Sequence, residues 1–265
     1  MDLGLEGKRA VVTGGSKGIG RAVAKTLATE GCSVAVAART EGELHRAADE
    51  LSADTGRMVV PVVVDTGSAE SVQAMAAAAI DALGGVDILV NSAAKPMGQA
   101  AAPKFRDVTD ELFWADMNVK VMGYLRCAQA LAPGMIERGW GRIVNVSGLG
   151  ARMSGSAVGS MRNVAVAALT KNLADELGPH GINVTVVHPG LTRTEATPGV
   201  IARLAASRGV SEEEAERSMV NNSIRQFLDA EEVAWVVTFL ASPRSIAITG
   251  DAVACGGGLP GPIYY

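Results

Sequence analysis

Short apolar runs alternate with helical patterns along the whole of this chain, and that alternation restricts its fold more than any single residue does. Ala10-Val11-Val12 precedes a helix expected over about 18–30, stopped by Gly31. Val34-Ala35-Val36-Ala37 leads to Thr40-Glu41-Gly42-Glu43, a capping box opening the next helix. A strand over 59–64 and a helix over 68–83 follow, the helix ending at Gly84-Gly85, then a strand at Ile88-Leu89-Val90. A long helical stretch runs over about 109–137, with Pro133 marking a turn or kink. A strand over 143–146, a helix over about 156–177 and a strand over 182–187 continue the pattern. Helix starts are read at Ser211-Glu212-Glu213-Glu214 and Asp229-Ala230-Glu231-Glu232, and a last strand at Ala252-Val253-Ala254. Strands that read as unbroken apolar runs belong to a parallel sheet covered by helices on both faces. The 265 residues are 48% hydrophobic, enough for one large core. The expectation is an α/β chain, a single domain over 1–265 with a doubly wound (Rossmann) parallel sheet.

The bulk properties exclude several classes. A net charge of −4 with no Lys/Arg run gives no reason to expect nucleic acid. Cys32, Cys127 and Cys255 are odd in number and far apart, which points to reduced thiols, no disulfide framework and no metal site. Met1-Asp2-Leu3-Gly4-Leu5-Glu6-Gly7-Lys8 lacks the basic-then-apolar layout of a signal peptide. No apolar run reaches the roughly 18 residues that span a bilayer. A cytoplasmic protein with no membrane partner is expected.

The first strand runs directly into Thr13-Gly14-Gly15-Ser16-Lys17-Gly18-Ile19-Gly20, and a helix begins there. Glycines in that position let the backbone turn tightly and approach a pyrophosphate, which then sits on the positive helix end. The end of the second strand helps to choose the nucleotide. Sites for NAD place an acid there, about 20 residues after the loop, to bind the ribose hydroxyls. This chain has Ala38, Arg39 and Thr40. A guanidinium pairs with a 2′-phosphate, which an aspartate would repel, and Lys17 adds a second positive charge. NADP(H) is the cofactor expected.

These motifs, in order, resemble those of the short-chain dehydrogenase/reductase family, and the resemblance covers nearly the whole chain. The family's Thr-Gly-x-x-x-Gly-x-Gly is matched by Thr13, Gly14, Gly18 and Gly20. Its adenine-contacting Asp is matched by Asp65, followed here by Thr66. Its Asn-Asn-Ala-Gly is matched in degraded form by Asn91-Ser92-Ala93-Ala94, implying cofactor contacts from Asn91 and Ala93. Its helical Asn of the catalytic tetrad is matched by Asn118 in Met117-Asn118-Val119-Lys120. Its Pro-Gly-x-Thr, which holds the nicotinamide amide, is matched by Pro189, Gly190, Thr192 and Thr194. The family also implies a homo-oligomer, dimer or tetramer, with Cys127 and Ala128 small enough for close helix contact.

The family's catalytic Ser, Tyr and Lys do not carry over. Ser147-Gly148 stands where the family reads Ser-Ser, so the catalytic position falls on Gly148. Gly159 and Asn163 stand at the Tyr and the Lys. The only tyrosines are Tyr124, Tyr264 and Tyr265, and the only lysine after Lys120 is Lys171. Residues four apart share a helix face, so Gly159 and Asn163 keep the geometry of the pair and drop its chemistry. The residues left to carry catalysis are Asn118, Ser147, Asn163 and Lys95, the last following the segment that lies beside the nicotinamide in relatives. Arg152 and Arg162 are read mainly as surface or subunit-contact residues, with oxyanion stabilisation as the alternative; Ser154, Ser156 and Ser160 as allowing a turn, with replacement of the orienting hydroxyl as the alternative; His188 as structural; and a terminal tyrosine as a remote source of a phenol. Met97, Met153 and Met161 are read either as lining an apolar substrate pocket or as filling the core. The leading expectation is an NADP(H)-dependent oxidoreductase acting on a carbonyl or alcohol of an apolar small molecule with a rebuilt proton donor. A nucleotide-binding protein without redox turnover (sensor, scaffold or pseudoenzyme) and a non-redox isomerase or lyase are the alternatives.

Overall fold

The computed structural model of the chain describes residues 1–94 and 103–261. Its elements are β1 (Arg9–Thr13), α1 (Gly18–Thr29), β2 (Ser33–Ala38), α2 (Glu41–Thr55), β3 (Val59–Val63), α3 (Ala69–Leu83), β4 (Ile88–Asn91), α4 (Asp110–Met117), α5 (Gly123–Arg138), β5 (Gly141–Val146), α6 (Ala157–Leu177), β6 (Ile182–Pro189), β7 (Thr192–Arg193), α7 (Thr197–Arg208), α8 (Glu212–Met219), β8 (Leu228–Asp229), α9 (Ala230–Leu240) and β9 (Ala252–Cys255). Seven strands form one parallel sheet in the order β3-β2-β1-β4-β5-β6-β9, and β7 pairs with β8 apart from it.

Alternation along each strand sends side chains into two cores. Ala10 and Val12 of β1, with Val34 and Val36 of β2, pack under α1, α2 and α9. Val11, Ala35 and Leu89 point the other way, against α3, α5 and the C-terminal end of α6. Each valine or leucine among them taken fully from water contributes about 1.5–3 kcal/mol, which is why central strands without polar alternation are stable only between helical layers. The chain winds outward from β1 through β2 to β3, then returns to β4 and winds the other way. The loops after β1 and β4 therefore diverge and open a crevice at the carboxyl ends of the strands, where such sheets take their ligands.

Four local expectations need correction. Thr40 precedes α2 without any side-chain cap, so its capping box does not form and the helix is held by its backbone bonds. The 109–137 stretch is not one helix. A π-turn over Asn118–Met122 separates α4 from α5, and α5 continues through Pro133. The helix α7, opened by Pro198 at its start, and the small β7/β8 pair have no counterpart in the sequence reading. Finally, Cys127 and Ala128 are buried in the chain's own core against α3, not on a face open to a partner. Ser156, Ser211 and Ser68 do cap α6, α8 and α3, each accepting a backbone N–H, and Asp229 N–H donates to the Glu232 carboxylate.

Candidate functional site

The loop between β1 and α1 is built by close backbone approach. A Cβ on Gly14, which has φ +69°, would lie 2.9 Å from the Ser92 carbonyl, and one on Gly20 would sit inside the Gly14 carbonyl. Thr13 Oγ1 accepts the N–H groups of Ser92 (3.2 Å) and Ala93 (3.3 Å), tying the loops after β1 and β4 together at the crevice. Ile19 turns inward and packs on the core. Ser16 is half-buried and Lys17 exposed, its ammonium 2.7 Å from Glu43. At the opening of α1 the Gly18 N–H donates to Glu195 Oε2 at 3.0 Å. A carboxylate thus stands on the helix end where the sequence places a phosphate, and it shows that this end attracts an anion.

Arg39 is exposed just beyond β2 and, among the described residues, is held by no ion pair; Thr40 beside it is also exposed. Asp65 is exposed beyond β3, its Oδ1 accepting the Gly67 N–H. Thr66 turns away from the surface, its hydroxyl donating to the Val119 carbonyl at 2.9 Å. Asn91, fully buried, donates to Asn145 Oδ1 at 2.9 Å; Asn145 donates to Thr170 Oγ1 at 2.9 Å; Thr170 donates to the Val166 carbonyl. This chain of bonds ties β4 to β5 and β5 to α6. Asn145 and Thr170 were missed in the sequence, although Asn145 interrupts the apolar run from Ile143 to Val146.

The expected catalytic residues come together only in part. Ser147 Oγ donates to the Asn163 carbonyl (3.1 Å) and Oδ1 (3.3 Å). Both residues are buried. Asn118 does not join them: its amide donates to the Gly67 carbonyl at 3.0 Å, pinning the π-turn to the loop after β3. Lys120 takes the place beside Asn163 instead. Its Nζ donates to the Ser147 carbonyl at 2.9 Å and to Asn163 Oδ1 at 3.3 Å. Burial, with Arg162 nearby, lowers its pKa to about 7, against a smaller upward pull from Asp116. The signal for it was present, an isolated lysine inside Asn118-Val119-Lys120-Val121-Met122, but its target lies 43 residues on.

Other groups around the cluster are engaged. Arg162 is buried and bonds both oxygens of Asp116 at 3.0 and 2.8 Å, clamping α4 to α6. Arg152 donates to the Ala252 carbonyl, and Ser160 to the Met153 carbonyl. Gly159 takes its place on α6 with its N–H on Ser156 Oγ; a Cβ there would lie 2.9 Å from that hydroxyl. Tyr124 is buried in α5 and donates to the Val146 carbonyl; burial pushes its pKa up, so it is no acid for this site. His188 is buried in β6, its Nδ1 without a hydrogen-bond partner among the described residues, and burial lowers its pKa to about 4. Met153 and Met161 are exposed. Lys95, Met97, Tyr264 and Tyr265 lie outside the described residues.

The segment after β6 folds back over the loop. Gly190 N–H donates to the Cys255 carbonyl, and the Thr192 hydroxyl to the Gly190 carbonyl. Thr194 N–H donates to Thr197 Oγ1, and the Thr194 methyl lies 3.3 Å from where a Gly18 Cβ would be. Pro189 to Thr194 therefore spans from the end of β6 to the start of α1. Glycines that admit a backbone approach, an anion already drawn to the helix end, and the exposed Arg39 fit a dinucleotide carrying an extra phosphate. Among the described residues no cluster of acids, histidines and cysteines suits a metal, and no helix is long and apolar enough to cross a membrane. All three cysteines are free and buried, and burial pushes their pKa values up to about 11 or 12.

Residues 8–204 match the family model described as short chain dehydrogenase. The chain is 34% identical over 256 residues to "Carbonyl reductase [NADPH] 2" of Sus scrofa, covering 96% of each chain. It is similar to the L-sorbose reductase of Gluconobacter frateurii, solved with NADPH and L-sorbose, at a TM-score of 0.93 and 31% identity over 99% of this chain and 100% of the other. It is also similar to a variant of the actinorhodin polyketide ketoreductase solved with NADPH, at a TM-score of 0.89 and 31% identity over 99% of both chains.

Proposed function

The chain belongs to the short-chain dehydrogenase family, and from that premise we propose an NADP(H)-dependent oxidoreductase that reduces a carbonyl, or oxidises the corresponding alcohol, of an apolar small molecule. The observation that carries this reading is the crevice between β1 and β4, where the loop glycines, the α1 end and the returning 189–194 segment converge. When bound, NADP(H) supplies the hydride. The chain's own residues hold and orient it. The N–H groups opening α1 hold the pyrophosphate, after Glu195 yields its place on Gly18. Arg39 pairs with the 2′-phosphate and Asp65 faces the adenine side. Thr192 and Thr194 hold the nicotinamide amide, and Asn163 the ribose hydroxyls. The site handles its proton without a Tyr-x-x-x-Lys pair, since Gly159 and Asn163 occupy that face of α6. Similar proteins solved with NADPH support the cofactor, and the reductases among them support the reaction class.

One observation favours a second reading, a nucleotide binder without redox turnover: the only tyrosine among the described residues, Tyr124, is buried and already bonded. The two readings separate in one assay. Purified protein is titrated with NADPH, then mixed with NADPH deuterated at the dihydronicotinamide carbon and a panel of apolar ketones and aldehydes. Deuterium in the product alcohol supports the oxidoreductase. Binding without transfer to any acceptor supports the binder. Absence of binding refutes both. A homo-oligomer, dimer or tetramer, in the cytoplasm completes the proposal.

A further inference from the structure

We propose that Lys120 is the cation of this site, delivered from the turn between α4 and α5 to the position that Asn163 leaves uncharged on α6. The inference rests on the NADP(H) reading above. Lys120 is only 4% exposed, yet no carboxylate bonds it among the described residues. A buried ammonium without a counter-charge is costly, so its presence here asks for a use. Asp116, the acid close by, is committed with both oxygens to Arg162. Two protons of the ammonium meet the Ser147 carbonyl and the Asn163 amide oxygen. Those are the two catalytic-side residues that remain beside Gly148 and Gly159. The π-turn over Asn118–Met122 is the local device: its extra residue alters the helical phase, and such turns cluster at functional sites.

Lys120 is a positioning residue. It polarises the Asn163 amide, fixes which of its atoms faces outward, and makes the floor of the site positive. A positive floor repels the oxidised nicotinamide, which carries a charge, and not the reduced one. The ratio of the two dissociation constants, NADP⁺ over NADPH, therefore reports the ionisation of Lys120. The 2′-phosphate and pyrophosphate are common to both ligands and cancel. Among the described residues, the charged or titratable groups that act on Lys120 are Asp116 on α4, Arg162 on α6 and His188 on β6, and Arg152 acts on His188. Burial holds His188 neutral at neutral pH. The Lys120 pKa of about 7 puts its discharge inside an accessible range.

The test is calorimetric and fluorescence titration of NADP⁺ and NADPH between pH 6 and 9, without substrate, on wild type, Lys120→Met and Lys120→Arg. In wild type the ratio is expected to fall by about fivefold or more as pH rises through neutrality. In Lys120→Met it is low and flat. In Lys120→Arg, whose charge persists, it stays at the acid value throughout. A wild-type ratio that ignores pH, or a Lys120→Met profile that follows wild type, overturns the assignment and leaves the cofactor reading intact. Failure of wild type to bind either nucleotide overturns the cofactor reading itself. If Lys120→Met does not fold, the wild-type and Lys120→Arg profiles still decide.

Discussion

Returning a lysine to position 163 should damage this protein, and the size of the damage can be worked out. Lys120 Nζ already lies 3.3 Å from Asn163 Oδ1, in a cluster whose members are at most 9% exposed. A lysine at 163 starts from the same helix position and brings a second ammonium to the same Ser147 carbonyl. Two ammoniums about 5 Å apart at an effective dielectric of about 20 repel by about 3 kcal/mol. Lys120 escapes that repulsion by releasing its proton. With a folded pKa of about 7, release is disfavoured by about 1.4 kcal/mol for each pH unit below 7. The coupling between the two lysines is set by whichever of these is smaller. It should be near zero above about pH 8, about 1.4 kcal/mol at pH 6, and about 3 kcal/mol at pH 5.

The assay is a double-mutant cycle of urea unfolding on wild type, Lys120→Met, Asn163→Lys and the pair, at pH 5, 6 and 8. The pair restores a single buried ammonium and should be more stable at pH 5 than Asn163→Lys alone. Additive effects at pH 5, or a coupling that does not shrink by pH 8, would refute the claim that the two positions share one charge site. Restoring Gly159→Tyr with Asn163→Lys while Lys120 stays in place should then fail to give an ordinary reductase. The new Cβ at 159 also presses on the hydroxyl of Ser156 that caps α6.

Four further outcomes are expected. Lys120 is depressed from an ordinary 10.5 to about 7, so the folded state binds fewer protons than the unfolded one between those values. Wild-type stability relative to Lys120→Met should rise with pH across that window, by up to about 5 kcal/mol, and be flat below it, as read by denaturant unfolding. Arg39→Glu should weaken NADPH by about 10- to 100-fold while leaving NADH nearly unchanged in fluorescence titration, because one charge-assisted pair is lost. Glu195→Gln should tighten NADPH by about two- to fivefold, since a carboxylate no longer competes for the α1 end. Asn145→Ala should destabilise the fold by about 1–3 kcal/mol in urea, because buried Asn91 and Thr170 both lose a partner.

The parts of the site that follow from local backbone rules were legible in the sequence. Gly14 and Gly20 are needed by the turn itself, and the strand before them and helix after them announce the turn. Arg39 is read from its place at a strand end. Ser68, Ser156 and Ser211 cap the helices that their local pattern foretells, while Thr40 does not, because a capping box states only an opportunity for a bond. The long-range bonds around the candidate site are of another kind. Lys120 meets Asn163 across 43 residues, Asp116 meets Arg162 across 46, and Glu195 meets Gly18 across 177. Periodicity places a residue on a face of its own helix, but which residue of another helix stands opposite depends on how the helices cross. Here Lys120 itself lies in a π-turn that no spacing rule foretold.

That distinction changes what the missing lysine means. Taken by position, Asn163 is a loss and Lys120 an oddity in an apolar stretch. Taken by contact, they are bonded partners, and each explains the other. With Lys120 present, an amide at 163 is the side chain that accepts the ammonium while keeping a donor free. With asparagine at 163, an amine at 120 is what remains to charge the site. Asp116, the nearby acid, is taken by Arg162, so that charge is not cancelled. On the proposal made above, the face of α6 carrying Gly159 and Asn163 is served by the amine of Lys120, while the one tyrosine among the described residues is bonded elsewhere.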